Sequence, residues 1–130
     1  MLGTILDIHI RVAYAVLIFN GVVGLWGVIR FLRGLAIDGN YWGAVALSPI
    51  LGLVQMLLGL IMVANGLSAN VRFVHYLYGA LVILAAPACF LYLRGRDDRG
   101  AQMIFGLVLL LNTGFGLRAY TTGYQAAGAF

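Results

Sequence analysis

Residues 42–64 read WGAVALSPILGLVQMLLGLIMVA, an apolar run of 23 residues without a charged side chain. A helix needs about 20 mostly apolar residues to cross the roughly 30 Å hydrocarbon core of a bilayer. A transmembrane β-strand would instead alternate polar and apolar positions over about ten residues. This run does not alternate, so it predicts a transmembrane helix.

Three further runs of similar character place the predicted spans at residues 8–32, 42–64, 73–93 and 101–121. The chain is 63% hydrophobic and 9% charged, with a mean hydropathy of +1.01. Average globular chains are about 25% charged, so lipid must solvate most of this surface. We therefore predict a single all-α domain over residues 1–130, an integral membrane up-down-up-down four-helix bundle embedded in a lipid bilayer.

The net charge of +4 comes from eight basic residues, all arginine, and four acidic ones. Five of the arginines follow the first and third spans: Arg30, Arg33, Arg94, Arg96 and Arg99. Loops rich in Arg and Lys stay on the cytoplasmic side. The charge thus predicts topology rather than nucleic-acid binding, with both termini on the outer side of the cytoplasmic (inner) membrane of a prokaryote.

An internal repeat relates the two halves of the chain. Residues 55–66 read QMLLGLIMVANG and residues 112–123 read NTGFGLRAYTTG. A gapless alignment pairs Gln55 with Asn112, Gly59 with Gly116, Leu60 with Leu117 and Gly66 with Gly123. His9 and His75 open the first and third spans at corresponding points. The predicted bundle is therefore built from two repeated helical hairpins related by a pseudo-twofold axis along the membrane normal.

Two histidines at corresponding points of a repeat indicate a shared ligand. Ionisable groups within membrane spans are costly and tend to be functional. The first and third helices of such a bundle are diagonal neighbours, so His9 and His75 can face each other across the core. Imidazole is a standard haem ligand, and Ala13 and Gly79, one turn along, leave room for a flat macrocycle.

The sequence thus predicts haem b held by His9 and His75 as axial ligands. A purely structural histidine pair, or a chlorophyll held by one axial ligand, stays open as an alternative. Zinc is disfavoured because it needs three or four ligands, and Asp7 is the one further donor nearby.

The negatively charged haem propionates should lie near arginine, which binds carboxylates through a bidentate fork. Arg72 lies three residues before His75 and is therefore predicted on the same face of the helix. Arg11 lies close to His9, and Arg118 ends the fourth span on the same side. Each of these arginines could equally extend towards lipid headgroups.

Gln55 and Asn112 lie at similar depth to Asn20. The three amides are predicted to form an interhelical hydrogen-bond cluster beneath the macrocycle, mainly as packing contacts. A quinone head group could use the same amides.

Residues 54–84 read VQMLLGLIMVANGLSANVRFVHYLYGALVIL. This stretch resembles the Q-x-x-L-G, G-L-S and V-H pattern in each four-helix half of heme A synthase. The matching residues are Gln55, Gly59, Gly66, Leu67, Ser68 and His75. His9 followed by Arg11 is similar to the histidine-arginine signature of that family. The resemblance implies a haem-binding scaffold with His9 and His75 as ligands.

Several features depart from that family. Leu6 and Gly3 occupy the turn where the family's catalytic half carries a glutamate, Ile10 separates His9 from Arg11, and the chain has one half and no cysteine pair. The resemblance therefore implies the scaffold rather than the catalysis.

Three functions follow as hypotheses. The first is a noncatalytic haem b protein, an electron-transfer subunit of a respiratory or photosynthetic membrane complex with a quinone or redox protein at its outer face. The second is a half-length heme A synthase-like enzyme acting as a homodimer. The third is a cofactor-free accessory subunit packed against other membrane subunits.

Overall fold

A computed structural model describes residues 1–67 and 70–126 of the chain. It contains four helices, α1 (Leu2–Leu32), α2 (Gly39–Ala64), α3 (Phe73–Tyr92) and α4 (Arg99–Ala126), and no strand within those ranges. All four are long and apolar enough to cross a membrane. The predicted all-helical class and the four candidate spans are confirmed. Ser68, one of the residues that carry the family resemblance, lies outside the described ranges.

Three helices are longer than their apolar runs predicted, α2 by residues 39–41 at its start. α1 begins at Leu2 rather than at residue 8. Gly3, Thr4 and Asp7 interrupt the apolar run there, but the Arg11 Nε donates to Asp7 Oδ2 at 2.8 Å, an i,i+4 pair that supports a helix. α4 continues past residue 121 to Ala126, where Thr122 donates to the backbone carbonyl of Arg118 at 2.8 Å.

The helices form a four-membered ring. Each helix packs against its neighbours in the chain, and α1 closes the ring against α4. Short connections force successive helices to run antiparallel, so α1 and α3 occupy diagonal corners. We call the end where α1 and α3 begin the histidine end, and the opposite end the arginine end.

The arginine end is tightly packed. The side chains of Tyr41, Phe105 and Leu109 are 0% exposed. α1 and α4 approach closely here, since a methyl group at Gly106 would lie 2.8 Å from the backbone nitrogen of Val28. Contacts this short leave room for glycine alone, which lets membrane helices pack backbone to backbone.

Polar contacts fix the loops at the same end. The Arg30 Nε donates to Gln102 Oε1 at 2.9 Å, and its Nη2 donates to the carbonyl of Ala36 at 2.7 Å. The same guanidinium pairs with Asp38 at 3.2 Å. The backbone N–H of Ile37 donates to the carbonyl of Asp97 at 2.9 Å. These bonds tie the α1–α2 and α3–α4 connections together.

The structure repeats, but in a different register from the gapless alignment. His9 lies against Gly59 as His75 lies against Gly123. The same relation holds deeper in the bundle, where Gly116 lies against Leu17 and Gly52 lies against Ile83. Equivalent positions are thus 66 residues apart between α1 and α3 (9 and 75) and 64 apart between α2 and α4 (59 and 123).

The predicted pairing of Gly59 with Gly116 is therefore wrong by seven residues. Seven residues are about two helical turns, so glycines spaced by seven lie on one face. Gly52, Gly59 and Gly66 share that spacing with Gly116 and Gly123. A pattern of glycines alone cannot distinguish the two registers.

Candidate functional site

The histidine end encloses a cavity of about 670 Å³ to which all four helices contribute. Volumes of about 300–1,000 Å³ are usual for small-molecule and cofactor sites. Val16, Gly52, Val82 and Gly116, all buried, belong to its walls at the depth where the packed core begins.

Small residues create this space. Ala13 and Gly79, which the sequence singled out, both line the cavity. A methyl group added at Gly79 would meet no heavy atom within 4 Å. The walls are otherwise largely aliphatic, so a bound group would be shielded from water over most of its surface.

His9 and His75 both line the cavity, with ring centroids 6.3 Å apart and ring planes inclined at 57°. The Nδ1 of His75 lies 2.7 Å from the backbone carbonyl of Ala119. A carbonyl only accepts hydrogen bonds, so Nδ1 must carry the proton and donate it. When such an imidazole coordinates a metal, the lone pair is on Nε2, and a hydrogen bond from Nδ1 to a carbonyl is the arrangement that orients metal-binding histidines.

Each imidazole rests on a glycine of the adjacent helix. A Cβ at Gly123 would lie 2.9 Å from Cε1 of His75, and a Cβ at Gly59 would lie 3.5 Å from Cε1 of His9. The His75 ring therefore packs directly on the backbone of α4, and any side chain at position 123 would displace it. Sequence reasoning noted both glycines as repeat markers but missed this contact.

Two polar atoms near His9 are buried and make no hydrogen bond within the described part of the chain. They are Nδ1 of His9 and Oε1 of the Gln55 side chain. The backbone of Gln55 lies beside the His9 ring. The Gln55 Nε2 donates to the His9 backbone carbonyl at 2.8 Å. Buried polar atoms in folded proteins normally have a partner. Two further atoms of this kind, Gln102 Nε2 and Asn112 Oδ1, belong to residues outside the cavity, whereas those of His9 and Gln55 belong to its lining, where a polar or metal-containing ligand has room to contact them.

Asn112 does not line the cavity. Its Nδ2 donates to Asn20 Oδ1 and to the Val82 carbonyl, both at 3.1 Å, and Ser48 Oγ donates to the same Asn20 oxygen at 2.6 Å. The predicted amide cluster thus joins Asn20 and Asn112 but excludes Gln55. Ser48 was missed, although a hydroxyl within an apolar run one residue before Pro49 is a signal that could have identified it.

The three arginines proposed beside the propionates do not line the cavity. Arg11 pairs with Asp7 at the surface, where the two side chains are 76% and 59% exposed. Arg72 precedes α3 with an extended backbone (φ −74°, ψ 149°), so the argument that it shares a helical face with His75 is wrong. Arg118 is exposed on α4. Carboxylates reaching the membrane surface would meet these arginines outside the cavity.

A tyrosine clasp, formed by Tyr14, Tyr120 and Tyr124, closes the contact between α1 and α4 beside the cavity. The hydroxyls of Tyr14 and Tyr120 lie 2.6 Å apart, and their ring centroids lie 5.2 Å apart. The ring of Tyr124 follows at 4.9 Å from that of Tyr120. The i,i+4 spacing of residues 120 and 124 was visible in the sequence, whereas the distant partner Tyr14 was not.

Together these features define a class, a four-helix bundle with membrane-spanning lengths and two opposed imidazoles in an apolar cavity. No family model, curated protein or solved structure matches the chain. Within residues 1–67 and 70–126, no group of three or more His, Cys, Asp or Glu side chains gathers in metal-binding proximity. The imidazoles that line the cavity are those of His9 and His75.

Proposed function

We propose that this chain is a membrane haem b protein in which His9 and His75 are the two axial ligands, and that it transfers electrons as a subunit of a larger membrane complex. The observation that carries the proposal is the 6.3 Å separation of the two ring centroids. Metal–imidazole bonds are about 2 Å long, and each nitrogen lies about 1 Å from its ring centre, so opposed ligands give roughly 6 Å.

The surroundings of the rings support the same assignment. The hydrogen bond from His75 to Ala119 leaves Nε2 as the coordinating atom, and Gly59 and Gly123 hold the rings without intervening side chains. Ala13 and Gly79 leave space beside them. A bis-histidine haem supplies reversible one-electron chemistry, and the apolar walls of this chain would keep water away from it.

Charge suggests the orientation. Arg30, Arg33 and Arg94 lie at the arginine end, so the positive-inside rule predicts that this end faces the cytoplasm and that the histidine end faces outwards. A redox protein or a quinone would then exchange electrons at the outer face. The resemblance to one half of heme A synthase agrees with a haem scaffold, and the missing glutamate favours electron transfer over haem oxidation.

The spectrum of the purified protein tests the proposal. We expect a reduced-minus-oxidised spectrum of low-spin, six-coordinate haem, reversible in a one-electron redox titration. Carbon monoxide should leave the reduced spectrum unchanged, because both axial positions are taken. His9→Ala and His75→Ala should each give five-coordinate haem that binds carbon monoxide, and the double variant should lose haem.

Tyr76→Phe is the matched control, since this ring lines the cavity and lies 5.7 Å from His75 but supplies no ligand. Its spectrum should equal that of the native protein. Circular dichroism of every variant distinguishes ligand loss from misfolding. Native, helical protein that stays colourless after incubation with haemin would refute the proposal, as would a spectrum that neither histidine substitution changes.

A further inference from the structure

The cavity at the histidine end opens on one side of the bundle. Its exposed lining residues all belong to α2 and α3: Leu53, Met56, Leu60, Tyr76, Ala80 and Leu84. The lining residues from α1 and α4 are buried or half-buried. The opening therefore lies along the seam between α2 and α3.

The internal repeat provides a direct comparison for this seam. By pseudo-symmetry, the α2/α3 seam is equivalent to the α1/α4 seam, which the tyrosine clasp closes. Ala80 corresponds to Tyr14, 66 residues earlier, and Met56 and Leu60 correspond to Tyr120 and Tyr124, 64 residues later. The α2/α3 seam thus carries no phenol at these positions and cannot form the hydrogen bond that joins Tyr14 to Tyr120.

At the arginine end the difference in side-chain size between the two seams is reversed, with small residues in the α1/α4 seam and large ones in the α2/α3 seam. Gly24 and Gly106 bring the backbones of α1 and α4 together, since a Cβ at Gly24 would lie 3.0 Å from the Gly106 carbonyl oxygen. The equivalent positions of the other seam are Phe90 and Trp42, whose rings pack edge to face with centroids 5.6 Å apart. Two aromatic rings therefore stand between α2 and α3 where glycines let α1 and α4 touch.

The depth of the opening decides what can pass through it. Gly52 packs against Ile83, a Cβ there meeting the Ile83 side chain at 2.8 Å, and this contact marks the lower edge. From Gly52 to Leu60 is about 12 Å along a helix. The opening lies within the part of α2 that is apolar enough to cross a membrane, so it faces the hydrocarbon phase, and its exposed walls are apolar apart from the hydroxyl of Tyr76.

We infer that the α2/α3 seam is a lateral entrance through which a flat, apolar macrocycle dissolved in the bilayer reaches the histidines. The macrocycle is haem, an identity that rests on the proposed function. The existence of the entrance rests on the exposed lining and on the missing clasp.

The decisive variant copies the clasp onto the open seam. Met56→Tyr with Ala80→Tyr places phenols at the positions equivalent to Tyr120 and Tyr14. Haem transfer from haem-loaded liposomes into apo-protein in separate liposomes should slow by about tenfold or more, within the range over which association rates vary among variants of one interface. The matched control is Leu57→Tyr with Leu77→Tyr, since both leucines are exposed on the same helices but do not line the cavity.

A second readout needs no haem. Gly79→Cys in a Cys89→Ala background puts a thiol into the cavity, where a Cβ meets no atom within 4 Å. A lipid-soluble maleimide should label this thiol quickly in the native seam and in the control, and slowly in the closed seam. Should the double tyrosine variant not fold, Ala80→Phe alone gives the same contrast.

The outcomes separate the two proposals. Equal labelling rates in closed and native seams would overturn the entrance, whether or not haem binds. Haem binding with equal transfer rates would also overturn the entrance and leave the proposed function intact. Slow labelling of the closed seam with no haem bound by any variant would uphold the entrance and remove haem as its ligand.

Discussion

The same four helices behave differently at their two ends. At the arginine end the backbone of α1 occupies the space beside Gly106 that a side chain would need. Large side chains such as Phe105 are wholly buried there. At the histidine end Gly79 borders open space within a 670 Å³ cavity. One residue type thus serves close packing at one end and a binding volume at the other.

This contrast indicates how stability and binding are divided along the bundle. Lipid is as apolar as the helix surfaces, so association between helices depends on van der Waals packing and hydrogen bonds. The arginine end supplies both, and the Asn20–Ser48–Asn112 cluster adds hydrogen bonds just beneath the cavity. With the bundle held there, the histidine end can forgo the packing contacts that the cavity removes.

A pair of glycine substitutions, one at each end, should give the largest difference in unfolding free energy between the packed end and the open end. Gly106→Ala places a methyl group 2.8 Å from the Val28 nitrogen and should force α1 and α4 apart. We expect its free energy of unfolding to fall by about 2–3 kcal/mol, as for other overpacked sites. Gly79→Ala adds the same methyl group to open space, and we expect a change within about 0.5 kcal/mol.

Reversible unfolding in mixed micelles, followed by far-ultraviolet circular dichroism, measures both values against the native protein. Equal losses for the two variants would contradict the division between a packed end and an open end. A large loss for Gly79→Ala alone would reverse it.

Sequence reasoning identified most of the fold and the centre of the site. The length of each apolar run sets the spans, and two histidines at corresponding points of a repeat placed the ring pair correctly across the diagonal. Ala13 and Gly79 followed from i,i+4 spacing, which a helix fixes locally. Gln55 does line the cavity, but the depth that it was predicted to share with Asn20 and Asn112 was wrong.

What the sequence could not supply was contact between distant segments. The seven-residue register error arose because two helical turns preserve a face. Arg72 was misplaced because it was counted as part of a helix that begins at residue 73, as its apolar run predicted, so that position 72 has an extended backbone. The bond from Tyr14 to Tyr120 depends on how closely α1 and α4 approach, which the hydropathy of either helix does not reveal.

The polar cluster and the cavity amide provide a second, smaller contrast between the packed and open regions. Asn112→Ala removes the donor to Asn20 Oδ1 and to the Val82 carbonyl, and leaves a void among fully buried side chains. We expect a loss of about 1–2 kcal/mol in unfolding free energy. Gln55→Ala loses a single bond to the His9 carbonyl beside an existing cavity, and we expect about 0.6 kcal/mol.

The same micelle titration compares the two amide variants. Because the cluster lies below the cavity that we propose holds haem, Asn112→Ala should keep the haem spectrum expected of the native protein. A larger loss for Gln55→Ala than for Asn112→Ala would show that the cavity end, rather than the packed end, holds the helices together.

The smallest expected difference concerns two carboxylates at opposite ends of the bundle. Asp98, before α4, accepts from both Arg96 and the backbone N–H of Ala101, at 2.8 Å and 2.9 Å. These hydrogen bonds, that from Arg96 above all, hold the pKa of Asp98 below its ordinary value. Asp7, at the histidine end, makes an exposed ion pair with Arg11.

A carboxyl whose pKa is lower in the folded protein stabilises the fold above its unfolded pKa of about 3.9, and that contribution is lost as the pH falls through the folded value. Thermal unfolding of Asp98→Asn should therefore change less than that of the native protein between about pH 5 and about pH 2. Asn keeps the acceptor for the Ala101 N–H, so the variant removes the titration and retains the cap. Asp7→Asn, measured alongside, is the control for removing an exposed, ion-paired carboxylate at the other end of the bundle. If Asp98→Asn and the native protein lose stability in parallel as the pH falls, the loop at the arginine end does not depend on this charge, and neutral hydrogen bonds such as that from Ile37 to Asp97 hold it instead.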